Sequence, residues 1–160
     1  MPLPDAAFDE FLAFSSVVTG FPRYRLLGTG EADEFFAALG RFLGQAVLTE
    51  FLGATHAARA EAGADDGRLE HLLRARIFGD EKYGPIARNL IKLWYVGVWY
   101  RLPDPWHAQY GTGCGGDQNQ IVSTAAYTEA LLWPAIGANP PGAKGPGFGT
   151  WAEPPRIPVY

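Results

Sequence analysis

Pro85-Ile86-Ala87-Arg88-Asn89-Leu90-Ile91-Lys92-Leu93-Trp94-Tyr95-Val96-Gly97-Val98-Trp99-Tyr100 is the stretch that decides the fold. Ile86, Leu90, Leu93, Trp94 and Gly97 share one helical stripe, and Ile91, Tyr95, Val98 and Trp99 cover the opposite side. A helix that is apolar on both sides has to be covered on both sides. The stretch therefore predicts either the central helix of a bundle or a helix shared between a core and an interface. Its dense run, Leu90 to Tyr100, contains Lys92 and falls short of the roughly 20 apolar residues needed to cross a bilayer. No membrane span is expected from it.

The residues upstream supply helices to cover it. Phe8, Phe11, Leu12, Phe14, Ser15 and Val18 form a stripe over residues 5–19, with Pro4 at the start and Gly20 and Pro22 just past the end. A second helix is expected after Thr29-Gly30. Its first turn carries Glu31, Asp33 and Glu34, where the helix dipole favours acids, and its apolar face runs from Phe35 to Leu52. Gly40 and Gly44 sit inside it four residues apart, which reads as a small-residue face for close helix approach. The Ala-rich stretch from Ala57 to Gly67 reads as a fraying end and a surface loop. A third helix follows from Arg68, with Leu69, Leu72, Leu73 and Ile77 on one face, and Gly79-Asp80 closes it.

Past Arg101 the composition changes. Residues 101–160 hold nine of the 13 prolines and nine of the 20 glycines, and only the stretch near 123–132 still reads as a short helix, stopped by Pro134. Long irregular segments are uncommon inside compact domains. Disordered tails are polar and poor in aromatics, whereas this one carries Trp106, Tyr110, Tyr127, Trp133, Phe148, Trp151 and Tyr160. Proline keeps such a segment extended and lowers the entropy lost when it docks. Such a segment can fold back over its own bundle or lie on another protein, and its length favours the partner. The expected fold is all-α: a small bundle of about four to five helices over residues 1–100, then a Pro/Gly-rich tail over 101–160 that wraps a partner, in one domain.

Composition narrows the function classes. With 160 residues, 48 % hydrophobic and 19 % charged, the chain can bury a single core without staples. A net charge of −4 and 13 scattered Lys and Arg give no electrostatic footprint for nucleic acid. Twenty-two aromatics are many for this length, and aromatics are enriched at protein interfaces. Met1-Pro2-Leu3-Pro4-Asp5 has neither a basic nor an apolar region of the kind that opens a signal peptide.

Signs of chemistry are sparse. His56, His71 and His107 lack the spacing of metal ligands, so no metal site is expected. Gly111-Thr112-Gly113-Cys114-Gly115-Gly116 looks like a dinucleotide loop but has no strand before it and no helix after it. The acid pairs Asp33 with Glu34, Asp65 with Asp66 and Asp80 with Glu81 sit at helix starts or turns, where capping explains them. Cys114 cannot form an intrachain disulfide, which leaves a free thiol or a bond to another chain. No catalytic, cofactor-binding or metal-binding residue is assigned.

Ile121-Val122-Ser123-Thr124-Ala125-Ala126-Tyr127-Thr128-Glu129-Ala130-Leu131-Leu132-Trp133-Pro134, continuing through Asn139-Pro140-Pro141-Gly142-Ala143-Lys144 to Gly147-Phe148-Gly149-Thr150-Trp151-Ala152, resembles the small subunits of bacterial membrane-associated FAD-dependent sugar and polyol dehydrogenases, the sorbitol dehydrogenase small-subunit family. Phe14 to Gly20 and Leu93 to Trp99 resemble two further segments of that family. The resemblance implies that FAD and the catalytic histidines belong to a large subunit of the glucose-methanol-choline oxidoreductase type. It implies that a cytochrome c, or another haem or iron–sulfur carrier in the complex, takes the electrons onward. The small subunit's part would be folding, stability and export of the large one, in a periplasmic complex held at the inner membrane. Many members carry a twin-arginine signal, a pattern that Met1-Pro2-Leu3-Pro4-Asp5 does not show.

On this basis Tyr127, Trp133, Asn139, Pro140 and Trp151 are expected to anchor the partner, with Lys144 pairing one of its acids. Two other readings stay open from the residues: a self-standing helical enzyme or ligand-binding protein using the loop from His107 to Cys114, and a transient folding or export escort.

Overall fold

The computed structural model describes residues 4–111 and 115–144. The chain is all-α, with seven helices and one two-residue strand pair among the described residues. Helix α1 spans Pro4–Thr19 and ends at Gly20, whose φ of 74° leaves the helical region. The Thr19 hydroxyl donates to the Ser15 carbonyl at 2.7 Å and closes the last turn. Pro22, fixed at φ −65°, then starts α2, Arg23–Gly28, a helix that the sequence reading did not assign. It buries Leu26 and leaves Tyr24 and Leu27 in water.

Helix α3, Ala32–Ala62, runs ten residues past the expected Leu52 and into the Ala-rich stretch read as a fraying end and a surface loop. Its length and apolar character match those of a membrane span. In the fold that apolar face is used on the protein's own core: Phe35, Leu39, Phe42, Leu43, Phe51, Leu52 and Ala58 are all buried. Gly44 breaks the helix with φ 73° and ψ 154°. That conformation is open to glycine and nearly closed to other residues, so Gly44 is a kink rather than part of a packing face.

Helix α4, Asp66–Leu73, is capped by the Asp65 carboxylate, which accepts from the Arg68 amide at 2.9 Å. Its continuation, Arg74–Phe78, widens into a single π-helical turn. The Asp80 carboxylate accepts from the Lys82 and Tyr83 amides, both at 2.8 Å, at the start of α5, Tyr83–Val96. Gly97, left-handed at φ 71°, terminates α5 four residues before the expected end, because its amide bonds the Leu93 carbonyl and turns the chain out. The freed residues form strand β1, Val98–Trp99, antiparallel to β2, Gln120–Ile121, with Val98 opposite Ile121 and Trp99 opposite Gln120.

One face of α5 is core, with Ile86, Leu90, Leu93 and Trp94 buried, while Ile91 and Tyr95 on the other side are half-buried and Val96 is exposed. Trp94 lies stacked on Phe11, centroids 5.9 Å apart, and edge-on to Phe35 at 5.0 Å, while its indole N–H donates to the Ser15 hydroxyl at 3.0 Å. Trp99 stacks on Phe42 at 4.9 Å. Each such side chain taken fully out of water contributes about 1.5–3 kcal/mol, so these rings hold α1, α3 and α5 together.

The described part of the C-terminal third lies on this body. Helix α6, Asp104–Tyr110, begins behind Pro103 and buries Trp106, whose indole N–H donates to the Lys82 carbonyl at 2.8 Å. Leu102, Ala126 and Leu131 join the same core. The short helix expected near 123–132 is instead a series of turns followed by α7, Leu132–Ala135. Pro134 does not stop that helix, since it occupies the first turn, where its missing N–H costs no bond.

Candidate partner-binding face and a buried aspartate

Side-chain and backbone hydrogen bonds to the body hold residues 121–144 in place. The Ser123 hydroxyl donates to the buried Glu31 carboxylate at the start of α3, and Ser123 also accepts from the Ala126 amide at 2.9 Å. One serine thereby fixes the turn and fastens it. The Leu131 amide donates to the Trp94 carbonyl at 3.0 Å, and the Val122 amide to the Gly97 carbonyl at 3.4 Å.

Beyond this seam the chain forms one wall of an open cleft of about 570 Å³, and α2 with Phe21 forms the other. The Trp133 indole N–H donates to the Tyr127 carbonyl at 2.7 Å, and the two rings meet edge to face at 5.3 Å. Tyr127 is 44 % exposed and Trp133 is half-buried. Gly137, at φ 65°, turns the chain so that the Ala138 amide reaches the Trp133 carbonyl at 2.9 Å. Asn139 then stands exposed at the cleft while Pro140 is buried beneath it. Lys144 pairs with Glu129 of its own chain across the same wall, so an acid already holds the ammonium expected to meet a partner's.

Of the residues expected to bind a partner, Trp133, Asn139, Pro140 and Lys144 thus line one cleft, and Tyr127 adjoins it through Trp133. Trp151 and Cys114 lie outside the described residues. The opposite wall was missed by the sequence reading. Tyr24 is 71 % exposed and faces the cleft from α2, and Leu27, one turn on, is 44 % exposed. The available signal was Tyr24-Arg25-Leu26-Leu27 behind Pro22, a turn of helix with a single inward residue.

A second cluster gathers at the Gly-rich loop. Asp117 is buried, and its carboxylate accepts from the Trp99 indole at 2.5 Å, the Leu102 amide at 2.8 Å and His107 Nε2 at 2.6 Å. A histidine oriented by a buried aspartate is half of an acyl-transfer constellation. A Cβ on Gly111 would stand 2.7 Å from Nδ1, so the Gly111 backbone lies close to the ring's other nitrogen. Three donors on one carboxylate serve to staple α6 and the loop to β1, satisfying groups that would be costly to bury alone.

The other histidines stay apart from this cluster. His56 Nδ1 lies 3.1 Å from Glu10, which also accepts from Arg59 at 2.6 Å and from Thr55 at 3.0 Å, and His71 is exposed on α4. Among the described residues, no three His, Cys, Asp or Glu side chains gather to hold a metal ion. Lys82 sits beside the Tyr83 and Tyr110 rings, and its hydrogen bond to Glu50 holds its pKa above the ordinary lysine value. Burial raises the pKa of Tyr95, whose hydroxyl donates to the Thr19 carbonyl at 2.8 Å.

No protein-family model, curated protein or solved structure matches this chain.

Proposed function

We propose that this chain is a non-catalytic accessory subunit that stabilises, and assists the export of, a large FAD-dependent sugar, glycoside or alcohol dehydrogenase of the glucose-methanol-choline type. In this reading FAD and the reacting groups reside in the large subunit, electrons pass on to a cytochrome c, and the complex works in the periplasm at the inner membrane.

The observation that carries the proposal is the placement of the resemblance-bearing stretch. Residues 121–144 are fastened to the body as one wall of an open cleft, and the facing wall leaves a tyrosine 71 % exposed. Exposed aromatics beside proline, on a prebuilt backbone, suit an interface because little freedom is lost when they dock.

The test is co-expression. A flavoprotein of this type, produced with and without the chain, should be soluble, flavin-loaded and active only in its presence, whereas full activity of the large subunit alone would overturn the reading. Size-exclusion chromatography of the active enzyme separates a resident subunit from an escort, since an escort would be absent from the mature complex.

A further inference from the structure

We draw no further inference here: the strongest candidate, the apolar groove between α1 and the two halves of α3 that Phe36, Leu48 and Leu52 line, ends at a Glu10 carboxylate already satisfied by Thr55, His56 and Arg59, and nothing in the structure shows what covers it.

Discussion

Gly97 and Ala126 are packed so closely that a Cβ on Gly97 would stand 2.6 Å from the Ala126 carbonyl oxygen. This contact joins the end of α5 to the segment that forms the cleft. Gly97 also holds φ 71°, which an L side chain adopts only with strain. Gly97→Ala should therefore cost about 2–4 kcal/mol, through strain and displacement together. Denaturant unfolding measures it, and a loss below about 0.5 kcal/mol would mean the seam is loose.

Gly40 and Gly44, both inside α3, should behave oppositely. At Gly44, φ 73° and ψ 154° exclude alanine, so Gly44→Ala should destabilise by about 1–3 kcal/mol or straighten the helix. At Gly40 the nearest atom to an added Cβ is Leu48 Cδ2 at 3.9 Å. Gly40→Ala should accordingly be neutral or stabilise by about 0.5–1 kcal/mol through helix propensity. Equal effects at the two sites, read by thermal unfolding, would contradict the kink.

The buried Asp117 carboxylate holds three partners at once. Asp117→Ala strands the Trp99 indole and the Leu102 amide and should cost about 3 kcal/mol or more. His107→Ala removes one of three donors and should cost less, about 1–2 kcal/mol. In the proposed complex it should leave kcat and KM for the sugar unchanged once folded protein is compared, and a selective loss of kcat would favour chemistry at the loop.

The sign of the alkaline response follows from Tyr95. Burial raises its pKa, so the folded state holds the phenol proton more tightly than the unfolded chain does. Its contribution is complete below the ordinary tyrosine value of 10.0 and drains away as pH rises through the higher folded value. Tyr95→Phe should lower stability at neutral pH by about 1 kcal/mol, for the lost bond to Thr19, and flatten the decline above roughly pH 10. Urea titrations at pH 8 and pH 10.5 would show an unchanged slope if the tyrosine were not responsible.

The helical body was legible because periodicity records which face of a helix is buried. Phe11, Phe14, Leu39, Leu90 and Trp94 all sit where their three- and four-residue spacing placed them. The Gly44 kink and the early end at Gly97 were not legible, because a glycine in a helical pattern looks the same whether it packs closely or turns the backbone. The layer formed by Leu102, Trp106, Ala126 and Leu131 was hidden for a different reason: irregular segments have no period, and their burial depends on what the body offers. At the cleft, resemblance supplied Trp133, Asn139 and Pro140. Neither composition nor spacing could pair Lys144 with Glu129, or set Tyr24 across from Trp133.

The central claim is most directly tested by co-purifying the chain with a flavoprotein of the glucose-methanol-choline type and following flavin absorbance through size exclusion, for the wild type and for a Tyr24→Ala, Trp133→Ala double variant. The account predicts one flavin-bearing peak containing both chains, with sugar-oxidising activity, and its loss in a variant that still folds. A flavoprotein that elutes alone with full activity, or a complex indifferent to both substitutions, would contradict it.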